Sequence, residues 1–240
     1  MYIPKHFEST ELSKQVEIIK KNPLGTLFSS EAGRLGFFRW NYPSNEDDPD
    51  FDMCASHIPF VFGEFDSGEY KLIAHLARKN QQVEMLERVQ KCLVVFQSVD
   101  SYISPAWYPM KKKTHKFVPT WDFAAVHVYG KPKIIRDDKD WLINMLSTLT
   151  DQEEEKRPEG EIYEEKWSVS DAPDSYIDAM LKNIVGLEID ITHIQSKFKF
   201  DQNKSQVNVE GVVENLLKEV GGEKGQEMAH LVKDNYPGSL

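Results

Sequence analysis

Four short polar clusters interrupt the apolar pattern of this 240-residue chain, and they hold the side chains from which chemistry could be built. In the first, Ala55-Ser56-His57-Ile58-Pro59, a histidine stands in a strand-like, buried-looking run. It serves either as a core imidazole bonded to backbone or as a ligand contact. In the second, His75-Leu76-Ala77-Arg78-Lys79-Asn80 follows a strand pattern and precedes a helical one. Backbone N–H groups there and the Arg78 guanidinium could together hold a phosphate, or Arg78 could pair with one of the many carboxylates. The third combines Ser101-Tyr102-Ile103-Ser104-Pro105-Ala106-Trp107-Tyr108-Pro109 with Pro119-Thr120-Trp121-Asp122-Phe123-Ala124-Ala125-Val126-His127. Two tryptophan-centred segments with hydroxyls on adjacent strands have the composition of an aromatic-walled cofactor slot, or of plain core. The fourth, Lys197 to Ser205, ends a strand, and its Gln202, Asn203 and Lys204 offer donors suited to a phosphate or a flavin ring edge.

Several chemistries lose their usual support. No G-x-x-x-x-G-K-[ST] loop, G-x-S-x-G elbow, H-E-x-x-H pair or G-x-G-x-x-G turn occurs. With 39 acidic side chains, no two stand out as a glycosidase pair. The 39 acids against 29 Lys and Arg leave a formal charge of -10, which repels nucleic acid and anionic membranes. Direct DNA binding is therefore disfavoured, and the dense basic stretch Lys111 to Lys116 reads as a solvated hairpin tip. Cys54 and Cys92 lie far apart in apolar surroundings, as reduced buried thiols would. No apolar run is long enough to span a membrane, and Met1 to His6 lacks the features of a secretory leader, which predicts a cytoplasmic address.

The elements that must position these clusters form a mostly antiparallel β core followed by a helical C-terminal half. A helix is predicted over Thr10 to Lys21, with Thr10 as cap and Pro23 and Gly25 ending it. Strands are predicted over 26–29, 35–40, 53–65, 69–73, 91–103 and 116–129, with Tyr42 to Asp52 a polar loop and Asp66-Ser67-Gly68 a hairpin turn. Trp141, Leu142, Met145, Leu146 and Leu149 lie on one helical face over 139–150, and the charge run Asp151 to Arg157 reads as a loop. A second helix over 175–185, a return strand over 186–200 and a third helix over 207–220 follow, and the tail beyond Gly221 reads as helical and peripheral.

The order Met1-Tyr2-Ile3-Pro4, His57-Ile58-Pro59, His75-Leu76-Ala77-Arg78-Lys79-Asn80, Tyr102-Ile103-Ser104-Pro105-x-Trp107-Tyr108, Pro119-Thr120-Trp121, Val126-His127-x-x-Gly130 and Gln202-Asn203-Lys204 resembles the PaiB-type family. The resemblance implies an α+β fold built on a split β-barrel of the FMN-binding type, related to the pyridoxamine-phosphate-oxidase-like flavoproteins. It places the barrel domain at 1–205 and a C-terminal helical extension, packed on the same domain, at 206–240. It also implies a homodimer with FMN sites at the subunit interface, and a role as a negative transcriptional regulator or regulator of protease synthesis and sporulation. Carried onto this chain, it puts His75, Arg78 and Asn80 at the phosphate end and Tyr102, Ser104, Trp107, Thr120 and Trp121 along the ring pocket. Gln202 and Lys204 close that pocket, and His57 joins the cofactor-binding set. Asp122-Phe123 stands where Asn-Tyr commonly follows the family's Thr-Trp pair, and a carboxylate beside a flavin disfavours the reduced anionic ring. With little attraction to DNA, regulation would run through ligand sensing or protein partners. A flavin-dependent oxidoreductase and a haem-binding protein with His57, His75 or His127 as axial ligand are the alternatives.

Overall fold

The computed structural model describes residues 1–30, 53–64 and 68–238. The strand expected over 35–40, the loop over 42–52, and Asp66 and Ser67 of the expected turn lie outside the described residues. The described helices are α1 (Leu12–Lys21), α2 (Gln82–Arg88), α3 (Lys111–Thr114), α4 (Lys139–Glu154), α5 (Asp174–Leu181), α6 (Gln206–Asn215) and α7 (Gly222–Asn235). The strands are β1 (Leu24–Ser30), β2 (Met53–Pro59), β3 (Val61–Glu64), β4 (Tyr70–Ala77), β5 (Cys92–Ile103), β6 (Thr120–Ile135) and β7 (Ile184–Lys199). Together they make the α+β, mostly antiparallel fold of the split-barrel class. The strand order is β2-β1-β5-β6-β7-β4-β3, and the β1–β2, β1–β5, β3–β4 and β4–β7 ladders are all antiparallel.

The chain divides into two compact units, one of Met1–Asn22, Phe96–His127 and Gln195–Leu240, the other of Pro23–Val95 and Val128–Ile194. In the second unit, β1 alternates so that Gly25, Leu27 and Ser29 are buried. The expected strand over 53–65 is two strands, because Pro59 has no N–H for a ladder and the Phe60 N–H turns to Pro23 O at 2.9 Å. The α4 helix starts where Asp138 accepts a hydrogen bond from the Trp141 N–H. It buries Leu142, Met145 and Leu149 against Val61, Ile73 and Leu181. This helix continues through Glu154, so the first half of the expected charged loop is helical, with Asp151 exposed and Glu153 and Glu154 paired to Lys156 and Arg157.

In the first unit α1 forms as expected, but Glu11 rather than Thr10 occupies the capping position. Buried Gln15 ties the helix to Ser9 O and to Ser196 Oγ of β7. The Lys111–Lys113 stretch is the short exposed helix α3 and not a hairpin tip, with His115 closing it at φ 57. The residues after Ser205 are helical, and a π-helical turn at Leu216–Val220 joins α6 to α7. The tail is not merely peripheral: Met228, Ala229 and Val232 are buried, which gives α7 an apolar face that packs with α6.

Candidate functional site

The sequence-predicted residues divide between the two units. In the second unit, register explains much of the arrangement. Ser56 pairs with Leu27 and Cys54 with Ser29, whereas His57 pairs with Thr26, so alternation places Ser56 and His57 on opposite faces of β2. His57 is exposed, which overturns the expectation of a buried-looking strand position. On the Ser56 face, Gln82 of α2 is 1% exposed and donates through Nε2 to Leu27 O, Ser29 Oγ and Cys54 O, stapling β1 to β2. Asn80 bridges the same elements, with its Nδ2 donating to Ser56 Oγ and its Oδ1 accepting from the Gln82 N–H.

These contacts line a groove of about 470 Å³ bounded by Met53, Cys54, Ala55, Ser56, Lys79, Asn80, Gln81 and Gln82. Its lining offers an ammonium group, three carboxamides and a hydroxyl, and Gln82 Oε1 is buried with no hydrogen-bond partner. A buried acceptor left without a donor costs about 1–3 kcal/mol, and a ligand hydroxyl would recover it. A phosphate-bearing polyol matches this donor set. The residues present therefore fit the phosphate and sugar-alcohol end of a flavin nucleotide.

The two other phosphate-end candidates, Arg78 and His75, do not line this groove. Arg78 donates through a terminal nitrogen to Asp137 Oδ1 at 2.8 Å. His75, opposite Gly186 in the β4–β7 ladder, shares its face of the sheet with Ile73, whose side chain packs under α4. Burial lowers its pKa, and its Nδ1 has no hydrogen-bond partner. Sequence reasoning missed Gln82; its signal was a carboxamide at the start of an otherwise apolar helical face containing Val83, Met85 and Leu86.

In the first unit the expected ring-pocket residues fall into two groups. Trp107 is buried and donates through Nε1 to Glu219, while Ser104 accepts from the Ala106 N–H and caps the turn at Pro105–Trp107. Trp107 is thus tied to the distant Glu219, and Ser104 to a local cap. Tyr102 and Trp121 are exposed and meet edge to face with ring centroids 6.1 Å apart, and Trp121 Nε1 donates to Asp100. Thr120 Oγ1 accepts from Lys199 Nζ at 2.6 Å. Of the expected donor fork of Gln202, Asn203 and Lys204, Gln202 is engaged within the chain, accepting from the Phe200 N–H and donating to Phe198 O. A side-chain amide so placed closes the end of β7, where Asp201 adopts φ 59. Lys204 lies 5.8 Å from the ring centroids of Tyr108 and Phe117. His127 is half-buried on β6, and burial lowers its pKa.

The chain is 84% identical over 161 residues, 67% of its length and 95% of the relative's, to "Uncharacterized protein YKL070W" of Saccharomyces cerevisiae. It is 29% identical over 98% of its length and 97% of the relative's to "Protease synthase and sporulation protein PAI 2" of Bacillus subtilis, which bears out the PaiB-type resemblance. Among solved structures, the conserved hypothetical protein Rv2991 of Mycobacterium tuberculosis has a TM-score of 0.50 at 13% identity, covering 82% of this chain and 90% of that one, a likeness of fold. Residues 1–193 match the family described as "Putative FMN-binding domain", and the chain belongs to that family.

Proposed function

We propose that this protein binds FMN, with the phosphate end in the groove lined by Ser56, Lys79, Asn80 and Gln82. The single observation that carries the reading is the groove's donor set beside the unpartnered Gln82 Oε1. Lys79 supplies the charge for a phosphate, Ser56 and Asn80 supply hydrogen bonds, and Gln82 Oε1 accepts from a hydroxyl of the ribityl chain. The flavin, when bound, supplies the capacity for one- or two-electron transfer. The protein's own residues bind and orient: the Gln82 staple holds β1 and β2 in register, and Asn80 fixes the turn that presents Lys79.

The physiological role we assign is ligand sensing by a cytoplasmic homodimer, in line with the name of the Bacillus relative, protease synthase and sporulation protein PAI 2. The net charge of -10 supports regulation through protein partners over direct contact with DNA. No described helix is long and apolar enough to cross a membrane.

The test is the visible absorption spectrum of the purified protein before and after FMN addition and gel filtration, with light scattering on the same peak. FMN is expected to be retained and riboflavin, which lacks the phosphate, to wash out. Lys79→Glu should weaken FMN binding by about tenfold to a hundredfold, the loss of one charge-assisted contact. Equal retention of riboflavin and FMN, or an unchanged Lys79→Glu variant, would move the phosphate end elsewhere.

A further inference from the structure

The first unit carries a polar assembly that the FMN reading does not use. Asp122, near the start of β6, is 0% exposed. Its Oδ1 lies 3.2 Å from Lys199 Nζ, while its Oδ2 is buried without a hydrogen-bond partner. Lys199 Nζ also donates to Thr120 Oγ1 and Trp121 O, so its three N–H groups are committed and none can turn to Oδ2. From the turn after β7, Asp201 brings a second buried carboxylate, whose Oδ2 accepts from the Tyr108 hydroxyl at 2.6 Å. Lys204, held over the Tyr108 and Phe117 rings, completes the charged groups facing Asp122.

Two acids within one another's field and out of water do not both ionise freely. Asp201 has a strong donor in Tyr108, whereas no donor reaches Asp122 Oδ2. We propose that Asp122 and Asp201 form a proton-binding pair with the proton on Asp122, so that release of this proton as pH rises costs the folded chain stability. The step is a simple ionisation, with the proton leaving Asp122 Oδ2 for solvent and an unsolvated negative charge remaining. Burial and then the Asp201 charge push Asp122 up to about 7, against the opposing pull of Lys199 and Lys204. The folded chain therefore holds this proton more tightly than the unfolded chain. The stabilisation is full below the ordinary aspartate range and is lost as pH rises toward 7.

The experiment is side-chain carboxyl 13C NMR of the full chain across pH, with thermal melts in parallel, on wild type, Asp122→Asn and Asp201→Asn. One wild-type aspartate should titrate near neutrality. That titration should vanish in Asp122→Asn and move at least about one unit lower in Asp201→Asn, where the like charge is gone. The melting temperature of Asp122→Asn should gain on wild type steadily as pH rises through this range. The proposal is overturned if every wild-type carboxyl has finished titrating by about pH 5, or if the near-neutral titration survives in Asp122→Asn. Should Asp122→Asn not fold, an unmoved titration in Asp201→Asn refutes the pairing by itself.

Discussion

Replacing Tyr108 with phenylalanine isolates one hydrogen bond in the first unit. Tyr108 is 1% exposed, its ring stacks on Phe117 at 4.9 Å, and its hydroxyl donates to Asp201 Oδ2 at 2.6 Å. Phenylalanine keeps the ring and its packing, so the change falls on the carboxylate, which is left 2% exposed without that donor. A hydrogen bond to a charged group contributes about 1.5–3 kcal/mol, and an abandoned buried charge costs at least as much. We therefore expect a loss of about 2–3 kcal/mol, read as a lower urea midpoint at unchanged slope. In a chain of this size that corresponds to a fall in melting temperature of roughly 5–10 °C. A double-mutant cycle with Asp201→Asn separates the bond from any general disturbance. If the bond is the cause, the combined loss falls short of the sum of the single losses by about 1 kcal/mol or more. A loss under about 0.5 kcal/mol for Tyr108→Phe, or strict additivity in the cycle, would refute the reasoning by showing that Asp201 is satisfied by other means.

Three further outcomes follow from the second unit. A Cβ at Gly186 would lie 2.2 Å from a carbon of the Trp141 ring, so Gly186→Ala should destabilise by about 1–3 kcal/mol and shift the Trp141 fluorescence; an unchanged urea midpoint would count against this packing. Burial holds His75 neutral, so the folded state binds its proton less readily than the unfolded chain. Its contribution is present above the ordinary histidine range and lost as pH falls through it, and acid-induced destabilisation should be smaller in His75→Phe. Burial pushes the Cys92 thiol up to about 12, whereas Cys54 is half-buried. Mass spectrometry after brief alkylation of the native protein should find label on Cys54 and none on Cys92, and early labelling of Cys92 would contradict its burial.

Much of the fold was legible because its signals are local. The apolar positions of α4 recur at helical spacing, and the return strand at 186–200 and the final helices announced themselves by period alone. The PaiB-type landmarks carried the family from Met1 to Lys204. What sequence could not settle was which partner each polar side chain would choose. Arg78 looked equally able to meet a phosphate or a carboxylate, and the structure sets Asp137, 59 residues away, against it. His57 looked buried, and only the pairing of β2 with β1 shows which residues alternate outward. Gln82 carries no motif, because its meaning lies in three acceptors from two strands distant in sequence. The same holds for Asp122 and Asp201, two of many acids in the chain, which become a pair only when the turn after β7 returns beside β6. Periodicity and composition act within a few residues and determined the elements, while the family came from the resemblance of the ordered landmarks. Desolvation and hydrogen-bond pairing act through space between distant segments, so only the tertiary structure decided which charges are buried and which are satisfied.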